Sequence, residues 1–359
     1  MKPYSYSLLL LGLVACSQPQ TTPSETTTTA TVTQPPVVPQ QTPALIVHVD
    51  PGKVIASLPV QNATADSFAL YLPKGFDTSV PHSIIVFFDP HGDGSVPLEK
   101  YKELADKNNT ILAGSNTSRN GASLQEGVSI AGRLIADLSH RYKLDGTHII
   151  FCGFSGGAKV AMMAANSIPT VTHVVYCGAV APMQNFSRPI SFLGIAGTHD
   201  MNYSDLLLFH QGLSATYPHY LIEWSGKHEW PEATVFQNAF LPFSSIAKNK
   251  LVVVDAAKLS AVDKENTLKQ ELLKNMQTQD LNWWKLKVAE LRKKSATDAV
   301  SDRALGFISL ACYSLGKNAL NSNDLAQAEK IIAIYELADP GNGDCAIYKQ
   351  QLEARKAGH

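Results

Sequence analysis

Two kinds of apolar pattern alternate along residues 67–239. Short runs made mostly of aliphatic, β-branched and aromatic residues occupy 83–89, 109–114, 148–152, 172–177, 190–196 and 220–224. A run with no polar side predicts a strand covered on both faces. The stretch 67–73 alternates instead and stops at Pro73-Lys74-Gly75, which also predicts a strand. Between these runs the apolar residues recur at helical spacing. They do so in 97–108 through Leu98, Tyr101, Leu104 and Ala105, and in 122–142 through Val128, Ile130, Leu134, Ile135 and Leu138. Further helices are predicted over 158–165, 204–216 and 231–239. Strands that alternate with helices call for an α/β fold, a mostly parallel sheet with helices on both faces. Chemistry in such sheets gathers at the carboxyl ends of the strands, so the residues just after each strand are the ones to search.

From residue 263 the strand pattern fades. Leu268, Leu272, Leu273 and Met276 share one helical register, and Trp284, Leu286, Val288 and Leu291 another. The segment 258–359 is therefore expected to be an all-α helical region. Within it, 310–316 and 324–340 resemble one tetratricopeptide repeat, with Leu315, Gly316, Ala328 and Pro340 at its small, turn and breaker positions. A single repeat cannot bury its own face, so neighbouring helices must stack on it. If the resemblance holds, the region implies a docking surface for a protein partner or for the rest of this chain.

At the other end, an apolar run over 8–15 is too short to span a bilayer and reads as a signal peptide over 1–15. Leu13-Val14-Ala15-Cys16 resembles a bacterial lipobox, which implies lipid attachment at Cys16 and a place on the bacterial cell envelope. Residues 16–44 are dominated by Thr, Pro, Gln and Ser and have no apolar period, as expected of a disordered tether. Folded sequence begins near residue 45, and the α/β domain is expected over 45–250.

The whole chain has 359 residues, of which 45% are hydrophobic and 17% charged, with a formal net charge of −1. That balance gives no reason to expect nucleic acid as a partner. No Cys-x-x-Cys or His-x-x-x-His spacing suggests a metal site, and no glycine-rich loop has the spacing for a phosphate or dinucleotide, so no metal and no cofactor are expected. Five cysteines are present. Besides Cys16, Cys152 and Cys177 end neighbouring predicted strands, and Cys312 and Cys345 could face each other between helices. Export would permit disulfides, but their connectivity is not readable from spacing.

Chemistry concentrates at one junction. Gly153-Phe154-Ser155-Gly156-Gly157 separates the apolar run 148–152 from the Ala- and Met-rich run 158–165. A Gly-x-Ser-x-Gly turn between strand and helix holds its serine in a strained conformation and lifts the hydroxyl to a helix N-terminus. Two later post-strand loops carry the partner residue types. Gly197-Thr198-His199-Asp200 follows one strand, and Gly226-Lys227-His228-Glu229-Trp230-Pro231 follows the next. Asp205 is a nearby rival for the acid. His199, His210 and His219 lack the glycine-led post-strand setting of His228.

These three segments, in the order Ser155, Asp200, His228, resemble the α/β-hydrolases, and more closely their secreted esterase branch related to polyhydroxybutyrate depolymerases and feruloyl esterases. The resemblance runs over about 67–243. It implies Ser155 as nucleophile, His228 as general base and Asp200 as the acid that orients it. The oxyanion hole would take one N–H from Gly156. The other would come from the loop Asp89-Pro90-His91-Gly92-Asp93-Gly94, from either Gly92 or Asp93. His91, Phe154, Asn116, Arg119 and Trp230 are candidates for the cleft wall, although Asn116 and Arg119 could equally be solvated loop residues. Only 178–189 separates two strands where related enzymes often carry a lid, so an open site is expected, suited to ester groups on bulky or polymeric substrates. The expected activity is that of a serine ester hydrolase on carbohydrate or polyester-type esters. A serine peptidase of the same fold, or an inactive binding lipoprotein with a helical docking tail, are the alternatives.

Overall fold

The computed structural model describes residues 49–183 and 185–358. The expected signal peptide, tether and Cys16 lie outside the described residues. From Val49 onward the chain forms one compact unit.

Its centre is a single eight-stranded sheet. In chain order the strands are β1 (Val54–Val60), β2 (Ala63–Tyr71), β3 (His82–Phe88), β4 (Ile111–Ser115), β5 (Leu144–Phe154), β6 (His173–Cys177), β7 (Ser191–Gly197) and β8 (His219–Trp224). Across the sheet they run β1-β2-β4-β3-β5-β6-β7-β8. β3 to β8 are parallel to one another, while β2 lies antiparallel to both β1 and β4. The fold is therefore a mostly parallel α/β sheet of α/β-hydrolase type, followed by a helical region. β1 is the element that the apolar pattern did not signal. It sits at the sheet edge, carries Pro59 and is interrupted by register shifts, features that an edge strand tolerates and an inner strand does not.

Each inner strand buries both of its faces, because alternate side chains point to opposite sides. Ile84, Val86 and Phe88 of β3 lie on the sheet face that α2 (Leu124–Arg141), α3 (Gly156–Ser167) and α4 (Tyr203–Gly212) cover. Ile85 and Phe87 of the same strand pack on the opposite side against α1 (Ser95–Asn108) and the segment 233–246. The helix expected over 231–239 is one α-helical turn, α5 (Ala233–Phe236), continued by a 3₁₀ turn (Gln237–Phe240). Phe236 nevertheless buries its ring, with its centroid 3.8 Å from that of Tyr101.

The strand order reverses around β3. The chain leaves β3 through α1 to β4 on one side and returns through α2 to β5 on the other. A crevice opens where the connections diverge. The loop after β3 and the turn after β5, which carries Ser155, both lie there.

Beyond β8 come α6 (Ala256–Thr278), α7 (Leu281–Ser295), α8 (Ala299–Asn321), α9 (Leu325–Ala338) and α10 (Gly343–Lys356). Asp255, Asp280, Asp298, Asp324 and Asn342 each accept backbone N–H groups at the start of the helix that follows, satisfying donors that a helix N-terminus leaves without partners. Leu272, Met276, Trp284, Val288, Leu291, Ile308, Ile331 and Ile334 form one buried core. Leu286, expected on the same stripe as Trp284 and Val288, is 75% exposed. At about 100° per residue it points roughly 200° away from Trp284. Cys152, Cys177, Cys312 and Cys345 are all buried free thiols. There is no disulfide among the described residues.

Candidate active site

Ser155 follows directly on β5 and is the residue before α3. Its backbone has φ 53° and ψ −124°, a conformation that non-glycine residues adopt only when their surroundings force it. The forcing is steric. A Cβ at Gly153 would lie 2.1 Å from the Gly157 carbonyl oxygen, and one at Gly157 would lie 1.9 Å from that of Phe88. Strand and helix thus meet backbone to backbone, and the chain can turn between them only through the strained residue. Ser155 N–H donates to Cys177 O at 2.9 Å, tying the turn to the end of β6.

His228 lies on the loop after β8 and Asp200 on the loop after β7. His228 Nε2 stands 2.9 Å from Ser155 Oγ. On the other side of the ring, Nδ1 stands 2.9 Å and 3.0 Å from the two carboxylate oxygens of Asp200. An ionised carboxylate can only accept, so Nδ1 carries the proton and Nε2 is left to accept from the serine hydroxyl. Asp200 is 2% exposed, whereas the His228 side chain is 23% exposed, so the open end of the relay faces solvent. The rival acid, Asp205, lies in the first turn of α4, and the ring of His228 engages Asp200 instead.

The acid has its own support. Asp200 Oδ1 accepts the N–H of Asn202 at 2.8 Å, and Asn202 Nδ2 donates to Gly178 O at 2.7 Å. Gly178 has φ +67°, and a Cβ there would fall 2.6 Å from the Phe154 ring and 3.1 Å from Asp200 Oδ2. Only glycine fits both the backbone angle and the space. A glycine immediately after a buried strand was the available sequence signal for this contact.

Around the expected oxyanion position, Gly156 N–H meets no acceptor among the described residues. In the loop after β3, Gly92 N–H donates to Asp89 O at 3.1 Å and so closes a turn. His91 N–H donates to Asp89 Oδ1 at 2.8 Å and Gly94 N–H to Asn116 Oδ1 at 2.9 Å. Asp93 N–H is the donor of this loop left without an acceptor among the described residues. The Asp93 carboxylate turns to the Ser95 N–H and hydroxyl at 3.0 and 2.5 Å, which pairs a charge that would otherwise oppose an oxyanion.

Two hollows open beside the loops that surround the serine, although Ser155 itself lines neither. One, of about 400 Å³, is walled by Asp89, His91, Asp93, Val96, Phe154, Glu229 and Trp230. The Phe154 ring lies 4.6 Å from that of His228 and 5.5 Å from that of Trp230. The other, of about 590 Å³, is a polar groove that includes Ser67, Asn116, Arg119, Asn120 and Glu126. Asn120 brings it to the turn, since a Cβ at Gly156 would meet Asn120 Oδ1 at 1.8 Å. Arg119 lies exposed along this groove. Asn116 lines it too, but both ends of its amide are already engaged, with Nδ2 donating to Ala56 O.

Two residues matter here that the apolar pattern did not single out. Asp89, 3% exposed, accepts the Trp230 indole N–H at 2.8 Å through Oδ2. It thereby links the loop after β3 to the loop carrying His228, across 141 positions of sequence. Asn120 is the second, and nothing in its local sequence separates it from an ordinary turn residue. Segment 178–190 holds no helix or strand among its described residues. It is pinned to α3 by Ser187 and Arg188, which donate to Asn166 and to Ala165 O, and to the loop after α4 by Phe186, bonded to Tyr217. No group of three or more His, Cys, Asp or Glu residues suited to a metal ion occurs among the described residues.

No family model and no curated protein matches the chain. Among solved structures it is similar to several esterases. One is a feruloyl esterase module from Clostridium thermocellum in complex with sinapinate, at 13% identity and TM-score 0.45, covering 53% of this chain and 87% of that one. Another is Thermogutta terrifontis esterase 2 phosphonylated by cyclosarin, at 14% identity and TM-score 0.42, covering 54% and 92%. A hyperthermophilic esterase from the archaeon Pyrobaculum calidifontis matches at 13% identity and TM-score 0.40, covering 60% and 84%. Likeness at this level leaves the chemistry of this chain to its own residues.

Proposed function

We propose that this chain is a serine ester hydrolase that works through an acyl-enzyme on Ser155. The observation that carries the proposal is the unbroken relay from Ser155 Oγ through the His228 ring to Asp200, with every link at 2.9–3.0 Å, built on a serine held at positive φ. A serine hydroxyl is a weak nucleophile at neutral pH. As Oγ attacks the ester carbonyl carbon, its proton passes to His228 Nε2 and the carbonyl π electrons move onto oxygen. Asp200 stabilises the imidazolium so formed and keeps the ring in the tautomer that accepts at Nε2. We assign the oxyanion to the N–H groups of Gly156, at the head of α3, and Asp93. Fixed donors aimed at developing charge are worth most where water is excluded. Collapse of the tetrahedral intermediate breaks the ester C–O bond, and Nε2–H protonates the departing alcohol. Water then repeats the sequence on the acyl-enzyme, and the acid leaves.

The walls favour a substrate with two unlike halves. Phe154, Val96 and Trp230 suit an apolar acyl group, and Asp89, Asp93 and Glu229 disfavour an anionic one. The polar groove beside Gly156 suits a hydroxylated alcohol such as a carbohydrate, or the continuing chain of a polyester. The relay is open to solvent at His228, which accommodates an ester displayed on a larger molecule. We further propose that Cys16 is lipidated, so that the enzyme works at the surface of the cell envelope.

Hydrolysis of p-nitrophenyl acetate and butyrate tests the reaction. Wild-type protein should turn both over, and Ser155→Ala should lose the activity. Equal rates in the two proteins would refute the assignment. Substrate class is tested with acetylated sugars and short polyester oligomers. Turnover confined to long-chain triglyceride at an interface would contradict the open site.

A further inference from the structure

The helical region does more than stack on itself. Three charged side chains are buried where it meets the α/β part: Glu265 and Lys269 of α6 and Arg303 of α8, at 2%, 5% and 7% exposure. Arg303 Nε and Nη2 both donate to Glu265 Oε2, at 3.0 and 2.6 Å. Lys269 Nζ pairs with Glu265 Oε1 at 2.9 Å. The donors left over from these pairs reach the loop that carries Asp200. Arg303 Nη1 donates to Thr198 O at 2.6 Å, and Lys269 Nζ donates to Met201 O at 2.6 Å. The guanidinium also lies 4.6 Å over the ring of Tyr203. Gly306 of α8 receives the Met201 side chain, which would stand 3.3 Å from a Cβ at that position.

A fourth residue spans both loops of the relay. Asp302 accepts from His199 Nδ1 at 3.1 Å and lies 3.4 Å from Lys227 Nζ. Thr198, His199 and Met201 flank Asp200, and Lys227 precedes His228. Side chains of two helices far along the chain, Lys269, Asp302 and Arg303, thus hold the chain on both sides of the acid and next to the base.

Burying three charges is costly unless every one is paired and hydrogen-bonded, and an apolar contact of the same size would often be as stable. What the ionic contact provides is direction. A guanidinium fork braced on a carboxylate can present its remaining N–H groups only in a fixed geometry. We infer that Arg303, braced by Glu265, is a positioning residue for the Asp200–His228 pair, and that α6 and α8 are part of the catalytic unit. This rests on the reading of Ser155, His228 and Asp200 as the reacting groups. Arg303 acts through the Thr198 carbonyl, and the inward faces of α6 and α8 are committed to this role.

The test uses the full chain, with Arg303→Met and Arg303→Lys compared with wild type on p-nitrophenyl butyrate. A displacement of the acid by about 1 Å can cost up to about 100-fold in rate, so Arg303→Met should lower kcat by about 10- to 100-fold with KM little changed. Arg303→Lys, which keeps one donor for Thr198 O, should recover most of the loss. The His228 Nδ1–H proton should give a low-field resonance in wild type that is weakened or shifted in Arg303→Met at temperatures well below unfolding. Unchanged kcat and an unchanged resonance, with only a lower melting temperature, would overturn the inference. Should Arg303→Met fail to fold, Asp302→Asn tests the same clamp from its rim. It should lower kcat by a few-fold, and no change in kcat or in the resonance would again overturn it. If wild type itself turns over no ester, the functional reading fails, while the resonance still reports whether the clamp sets the Asp200–His228 bond.

Discussion

The proposed nucleophile and its two proposed partners are held in different ways. Ser155 is placed by its immediate neighbours. Gly153 and Gly157 let β5 meet α3 and let α3 meet β3 at backbone contact, and the backbone at Ser155 has nowhere else to turn. Asp200 and His228 are placed by residues far away along the chain. Gly178 braces the carboxylate through the adjacent Asn202, Asp89 anchors the histidine loop through Trp230, and Arg303, Lys269 and Asp302 hold the flanks. A short-range device of this kind is robust to distant change. A long-range one responds to any alteration in the packing of the elements that supply it. Positioning of the acid and base is therefore where the chain can be tuned, and where it is most easily broken.

The sharpest way to separate the two is to disable the long-range half without touching the turn. Asp200→Asn should reduce kcat by about 10⁴-fold, because an amide no longer holds His228 in the accepting tautomer. The position of Ser155 should be unaltered in a structure of that variant. A loss of less than about tenfold would mean that Asp200 does not orient the base.

Next in size is a break in the local half. Gly157→Ala puts a Cβ 1.9 Å from the Phe88 carbonyl oxygen, backbone that cannot yield without parting α3 from β3. Overpacking of this kind costs about 1–3 kcal/mol and sometimes more. Unfolding in urea should show a lower midpoint, and activity should fall with the distortion of the turn. A wild-type midpoint would show that the turn is looser than its contacts require.

Asp89→Asn probes the bridge between the loop after β3 and the loop of His228. One of its two donors, Trp230 Nε1–H or His91 N–H, loses its acceptor when one carboxylate oxygen becomes NH₂. A buried donor without a partner costs about 1–3 kcal/mol. Both stability and kcat should drop, and an effect on stability alone would place Asp89 outside the support of the relay.

The smallest effect on catalysis lies away from both halves. Burial, reinforced by the neighbouring His148, holds the His173 imidazole down at about 4. Burial beside His219 does the same for His210, also to about 4. Both are neutral in the folded state while the unfolded chain protonates near 6.5, so the unfolded state binds more protons between those values. Stability should rise with pH from about 4 to 6.5 and lose this contribution as the pH falls through that window. Thermal melts across it should flatten in a His173→Gln, His210→Gln double variant. An equal slope in wild type and variant would place the titration elsewhere.

The same contrast decides what could be read from the sequence. The Gly-x-Ser-x-Gly turn was legible because its glycines lie within five residues, although the Phe88 carbonyl that Gly157 meets lies far off in sequence. Asp200 and His228 could be found only as members of glycine-led loops after predicted strands, and their distances to Ser155 could not. Glu265, Lys269 and Arg303 gave no signal, since charged residues on helices otherwise read as solvated and their partners stand far off in sequence. The polar and apolar walls of the cleft were legible in part. His91, Phe154 and Trp230 follow strands, but the indole of Trp230 proves to be committed to Asp89. Edge strand β1 was missed because Pro59 and its register shifts obscure the alternation.

The relay itself is tested most directly by trapping its product. Wild-type protein mixed with p-nitrophenyl butyrate, quenched in acid during the first turnovers and digested, should carry a butyryl group on the peptide containing Ser155. The same label should be absent from His228→Ala under the same quench. Turnover without any acyl adduct, or an adduct on a residue other than Ser155, would contradict the account.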